Sequence, residues 1–77
     1  SCVNKKWDKE SMLNQCLGDL NKKNEIEPKF TSLQIGLLCD CISNKMIVTY
    51  NSDAEAGKDP EGAKKIGSDC AQEILAK

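Results

Sequence analysis

Apolar side chains recur at helical spacing in three stretches of the chain. The first stretch runs from Asp8 to Leu20, and its apolar side chains form one stripe: Met12, Leu13, Cys16, Leu17 and Leu20. Asp8 is a suitable N-cap, and Trp7 and Met12 have the spacing of a hydrophobic staple. The segment 21–28 is polar and ends in Pro28, which disfavours helix at the preceding residue. We predict a first helix over 8–20, followed by a loop.

The second stretch begins at Thr31 or Ser32 and carries two apolar rows. One row contains Phe30, Leu33, Leu37 and Cys41, and the other contains Ile35, Cys39, Ile42 and Met46. A helix that is apolar on two sides packs against neighbours on both of them. We therefore predict a central helix that extends to about Tyr50.

The third stretch follows a polar segment, 51–59, which we predict to be a loop. Asp59, Pro60 and Glu61 then supply an N-cap, a proline at the first helical position and an acidic first turn. Gly62 and Gly67 are expected to allow close packing of this helix, which runs nearly to the C-terminus. Its inward stripe contains Ala63, Ile66, Cys70, Ile74 and Leu75. The predicted fold class is an all-α, small three-helix bundle.

The cysteine content indicates how such a small bundle is stabilised. A chain of 77 residues buries only about 60% of its unfolded surface, and this one has five cysteines, a density typical of exported disulfide scaffolds. Zinc held by four thiolates is the competing interpretation, but the spacing lacks the two close cysteine pairs of such sites. We predict a single disulfide-stapled helical domain over 8–77, preceded by an N-terminal tether over 1–7.

The disulfide connectivity can be argued from helix geometry. Cys39 and Cys41 lie roughly 200° apart around a helix, so each should bond to a different neighbouring helix. Cys70 lies further past its N-cap than Cys16 does, which favours Cys16 with Cys41 and Cys39 with Cys70. The margin is about three residues, roughly 4.5 Å of helix rise, so loops of unequal length would reverse the pairing.

Missing residue types exclude several functions. The chain has no histidine, and all eleven of its basic residues are lysine. Without histidine there is no imidazole base, and without arginine there is no bidentate contact to phosphate or guanine. The net charge is −1 and the lysines are dispersed, which indicates neither nucleic-acid binding nor a charged membrane surface. We expect no enzymatic activity, no catalytic residue and no cofactor.

Two short motifs have the composition of ligand sites. Cys39-Asp40-Cys41 has the composition of a redox dithiol or a soft-metal grip, although two structural disulfides explain it better. Asn51, Asp53 and Glu55 alternate as in a calcium loop, but the glycine and bidentate glutamate of that loop are missing. We expect no metal site. The carboxylate pairs Glu25 with Glu27 and Asp59 with Glu61 are expected to be surface residues.

The N-terminus and the cysteine arrangement show resemblances. Ser1-Cys2 resembles the end of a bacterial lipoprotein signal, which makes Cys2 a lipidation candidate, the alternative being a free or intermolecular thiol. Trp7, Cys16, the run CDCISNK, Tyr50 and Cys70 together resemble small bacterial lipoproteins or periplasmic proteins with a Cys-x-Cys on a central helix. The resemblance implies export to the periplasm or cell surface and implies no activity.

Three functions remain open at this point. The first is a non-enzymatic envelope interaction or structural module, secreted or lipid-anchored, that recognises a protein or envelope partner. The second is a carrier of small apolar ligands, because a disulfide-stapled bundle can enclose a cavity between aliphatic faces. The third is a cysteine-based metal or redox protein. We expect a monomer whose only membrane attachment is a lipid on Cys2.

Overall fold

Four helices make up residues 8–76, the part of the chain that the computed structural model describes. They are α1 (Lys9–Ile26), α2 (Ser32–Thr49), α3 (Asp53–Gly57) and α4 (Pro60–Leu75). Three of them are long, and two disulfides link them. The predicted all-α, disulfide-stapled bundle is confirmed, whereas the proposed tether and the Trp7 half of the staple lie outside the described residues.

Helix α1 is longer than its apolar stripe indicated. Asp8 caps its start as predicted, its carboxylate accepting from the Ser11 N–H at 2.8 Å. The helix continues to Ile26, so the prediction of a loop over 21–28 is wrong for most of that segment. The polar character of these residues reflects an exposed helix, which ends only where Pro28 restricts the residue before it.

One side chain fixes the connection between α1 and α2. The carboxamide oxygen of Asn24 accepts from the Lys29 and Phe30 N–H groups, and its nitrogen donates to the Phe30 carbonyl. The last turn of α1 therefore binds the backbone of the α1–α2 connection directly. Because residues 27–31 form so short a link, α2 runs antiparallel to α1.

Helix α2 has close to the predicted bounds and the predicted central position. A capping box starts it, in which Thr31 and Gln34 each bond the other's backbone N–H. Ile35 and Cys39 of one apolar row are buried, as a central helix requires, and Ile42 and Met46 of the same row are half-buried. The second apolar row is only partly used, because Leu33 is 72% exposed and Leu37 is 50% exposed.

The segment predicted to be a polar loop, 51–59, contains the short helix α3. Ser52 caps α3 by accepting from the Glu55 N–H at 3.2 Å, and Ala56 is the buried residue of this helix. A single turn of helix has too few positions to show an apolar period, which is why the sequence did not indicate it. The prediction of a loop over 51–59 is therefore wrong over 53–57.

Helix α4 begins as predicted at Pro60 with Asp59 as its N-cap. The Asp59 carboxylate accepts from the Gly62 N–H at 3.2 Å and from the Tyr50 hydroxyl at 2.8 Å. The hydrogen bond to Asp59 and burial both raise the pKa of Tyr50 above its ordinary value. One carboxylate thus joins the end of α2 to the start of α4, and we call Tyr50, Asp59 and Gly62 the corner cluster.

Helix α2 lies between the other two long helices. α1 packs on one side, where Lys9 pairs with Asp40 at 2.7 Å, and α4 packs on the other, where Lys45 pairs with Glu73 at 3.1 Å. Within the described residues, α1 and α4 do not pack along each other. Both ion pairs are half-exposed and contribute little to stability. The core therefore consists of the two interfaces with α2.

One buried hydroxyl predicts a stabilising substitution. Ser43 of α2 is fully buried, and its Oγ has no hydrogen-bond partner among the described residues. We expect Ser43→Ala to raise the free energy of unfolding by about 1 kcal/mol, because it removes an unsatisfied buried polar group. Chemical denaturation checks this, with the exposed Ser68→Ala as the control. A destabilised Ser43→Ala would show that the hydroxyl is satisfied in solution.

Candidate functional site: an apolar trough beside the central helix

Two disulfides hold the three long helices together. Cys16 of α1 is bonded to Cys39 of α2, and Cys41 of α2 is bonded to Cys70 of α4. The prediction that Cys39 and Cys41 staple different neighbours is confirmed. The favoured pairing, Cys16 with Cys41 and Cys39 with Cys70, is wrong.

The favoured disulfide pairing is wrong because depth along the helices does not decide which cysteines meet. Cys39 and Cys41 differ by two residues, roughly 3 Å of helix rise, which the two connections absorb. What separates the two pairings is the side of α2 that each neighbour occupies. Cys39 shares a face with Ile42 and Met46, and in the structure that face is turned toward α1. The apolar rows do not reveal which neighbour lies on which side.

The pairing changes what the cysteine motif can do. Both sulfurs of Cys39-Asp40-Cys41 are in disulfides to different helices, so they do not form a vicinal dithiol. In residues 8–76, no group of three or more cysteine or acidic side chains is arranged to hold a metal ion. In the calcium-like segment, Glu55 instead accepts from the backbone and side chain of Asn51.

An apolar trough of about 570 Å³ lies beside α2. Its floor is formed by three side chains one helical turn apart: Leu38, Ile42 and Met46. Helix α1 forms one wall, and Gly67 of α4 and Asp53 of α3 lie on the other side. Phe30 of the α1–α2 link also lines the trough. The lining residues from α1 are Ser11, Met12, Gln15, Cys16, Asp19 and Leu20.

The trough exists because α4 presents no side chain at Gly67. A Cβ placed there would have no non-neighbouring atom within 4 Å, so Gly67 faces open space. The expectation that Gly67 allows close helix packing is therefore wrong. Gly62 does allow a close approach, because a Cβ there would meet the Tyr50 hydroxyl and the Asp59 carboxylate.

The apolar lining is adaptable. Both methionines of the chain and its single phenylalanine lie along the trough: Met12, Met46 and Phe30. Methionine is unbranched and polarisable, so it adjusts to apolar surfaces of different shape. The Cys16–Cys39 disulfide lies at the middle of the α1 wall and fixes the spacing between wall and floor.

The sequence predicted several of these positions but not the trough. Met12, Cys16 and Leu20 belong to the predicted α1 stripe, and Ile42 and Met46 to an α2 row. Each pattern indicates a buried face, and neither reveals that α1 and α4 leave a gap between them. The available signal was Gly67, which has helical spacing from Ala63 and Cys70 of the α4 stripe, because a missing side chain on an inward face leaves either a close contact or a space.

Comparisons with known proteins assign no function to the chain. No known protein family, curated protein or solved structure matches the chain. Within residues 8–76, no helix combines the length and the apolar character needed to cross a membrane. Two disulfides are compatible with an exported protein.

Proposed function

We propose that this protein is a non-enzymatic carrier that holds a small aliphatic molecule in the trough beside α2. The trough itself is the observation that carries the proposal. Its volume of about 570 Å³ falls within the range of roughly 300 to 1,000 Å³ that small-molecule pockets occupy. Its lining surface is mainly apolar, with four polar side chains, which is the usual composition of such pockets.

The size of the trough favours a small molecule over a protein partner. A stable protein interface buries roughly 800 Å² on each partner, and the trough exposes much less surface than that. A carrier also needs to keep its pocket open when it is empty. Two disulfides that fix α1 and α4 to α2 supply that rigidity, because neither flanking helix can shift far across the gap.

The proposal includes the cellular location. We infer that the carrier is exported to the periplasm or cell surface, where an oxidising environment maintains both disulfides. A lipid on Cys2 would keep it at the membrane, close to the source of aliphatic molecules. Mass measurement of the N-terminal peptide from the natural host tests the anchor, because lipidation adds the mass of the acyl chains to Cys2.

A substitution that fills the trough and leaves the core residues unchanged tests the carrier function. We expect Gly67→Leu to weaken binding of the neutral fluorescent probe N-phenylnaphthylamine at least tenfold. The new side chain enters the space that the ligand would occupy, and Leu is favoured over Gly in a helix, so the fold is retained. Gly18→Leu is the matched control, because Gly18 is an exposed α1 glycine facing open space outside the trough.

The result separates three cases. Probe binding to the unmodified protein and to Gly18→Leu, with loss in Gly67→Leu, supports the trough as the site. Binding that survives in Gly67→Leu would place the ligand elsewhere and overturn the proposal. No binding to the unmodified protein by this probe, decanol, decylamine or decanoate would also overturn it. Circular dichroism of each variant confirms that the helices are intact.

A further inference from the structure

The polar groups around the trough have a charge bias that bears on the ligand. Four polar side chains line it: Ser11, Gln15, Asp19 and Asp53. Two of them are carboxylates, and none of the eight lysines within residues 8–76 contributes to the lining. Among the described residues, the trough is thus bordered by negative charge alone, although the whole chain is nearly balanced in charge.

The two carboxylates have no partners within residues 8–76. Three lysine–carboxylate pairs form elsewhere in this part of the chain, at Asp40, Glu73 and Asp69. Neither Asp19 nor Asp53 takes part in an ion pair or a side-chain hydrogen bond there. As far as residues 8–76 are concerned, their charge is therefore available to a molecule in the trough.

The carboxylates lie toward opposite ends of the trough. Asp53 begins α3, just after the C-terminal end of α2, where Met46 closes the floor. Asp19 lies one turn past Cys16 along α1, and α1 runs antiparallel to α2, so Asp19 is level with the first half of α2. A ligand lying along the floor meets a carboxylate near either of its ends.

We propose that the ligand is a cationic amphiphile, with an aliphatic body and an ammonium head group that donates hydrogen bonds. The body fills the space over Leu38, Ile42 and Met46, and the head group pairs with Asp19 or Asp53. A fatty acid is disfavoured, because its carboxylate would lie beside like charge, and no lysine of the described residues lines the trough to offset that charge. This inference rests on the proposed carrier function.

The test compares head groups on one alkyl chain. Decylamine and decanoate below their micellar concentrations, and decanol below its aqueous solubility, are titrated against the probe-loaded protein by displacement of N-phenylnaphthylamine. We expect decylamine to bind about tenfold more tightly than decanoate, with decanol between them, because exposed charges near contact distance change affinity severalfold. The ratio should fall as salt is added, since screening weakens exposed pairs.

Two double variants with the same charge change complete the design. Asp19→Asn with Asp53→Asn should abolish the preference for decylamine. Glu25→Gln with Glu27→Gln, two exposed residues outside the lining, should retain it. If the Asn pair fails to fold, Asp19→Asn alone serves, with an expected loss of about half the preference on a logarithmic scale.

The outcomes distinguish this inference from the carrier function. Equal binding of all three compounds, or a preference that survives in the Asn pair, would overturn the cationic ligand and leave the carrier standing. A preference for decanoate would do the same. Failure of every compound and of the probe to bind would overturn the carrier function and the inference with it.

Discussion

Reduction of both disulfides is expected to unfold this protein at room temperature. The bonds close loops of 23 and 29 residues, and chain entropy gives each about 3.5 kcal/mol of stabilisation. Domains of this size have free energies of unfolding near the low end of roughly 5 to 15 kcal/mol. The two bonds together thus contribute a stabilisation comparable to the entire free energy of unfolding.

Circular dichroism melts with and without a phosphine reductant measure this effect. The experiment is done in Cys2→Ser protein, so that thiol exchange with Cys2 does not scramble the pairs. Replacing one pair by serine, either Cys16 with Cys39 or Cys41 with Cys70, should lower the melting temperature by more than about 15 °C. This follows because a domain of this size loses about 4 to 8 °C in melting temperature for each kcal/mol of lost stability. A reduced protein that still melts cooperatively near the oxidised temperature would contradict the expectation.

The pairing itself is decided by cleavage on the N-terminal side of aspartate. Cleavage before Asp40 separates Cys39 from Cys41, which trypsin cannot do. The structure predicts that peptide 8–18 is linked to 19–39, and 40–52 to 69–77. Linkage of 8–18 to 40–52 would restore the pairing that helix depth favoured. Mass spectrometry of the unreduced digest distinguishes the two.

Local signals predicted most of the fold. Asp8, Thr31 and Asp59 act as N-caps, and Pro60 begins α4, because a cap is decided by a few neighbouring residues. The end of α1 was missed because an exposed helix of lysine, asparagine and glutamate has no apolar period to detect. The stopping signal was Pro28 rather than the loss of the stripe.

Relations between helices could not be predicted from the same signals. The apolar rows of α2 indicate two partners but do not say which side each one takes, and the disulfide pairing follows from that choice. The trough depends on the same kind of information. It arises because α1 and α4 each pack on α2 and not along each other, and because Gly67 leaves the gap unfilled, neither of which is a local property.

A second large effect is expected from a single methyl group at Gly62. Alanine normally stabilises a helix by about 0.5 to 1 kcal/mol relative to glycine. At Gly62 the added Cβ would lie closer than 3.0 Å to the Asp59 carboxylate and the Tyr50 hydroxyl, so the corner cluster must move. We expect Gly62→Ala to lower the free energy of unfolding by about 1 to 3 kcal/mol, the usual cost of overpacking.

The control is the same substitution where the Cβ meets nothing. Gly18→Ala, on the exposed face of α1, should raise the melting temperature by a few degrees. Tyr50→Phe removes the hydroxyl oxygen, one of the three atoms that lie closer than 3.0 Å to the new methyl group. Combining it with Gly62→Ala should therefore cost less than the sum of the single changes, because part of the clash disappears. Equal stabilisation by Gly62→Ala and Gly18→Ala would show that the corner cluster is not closed in solution, and α4 would then start without the link from Asp59 to α2.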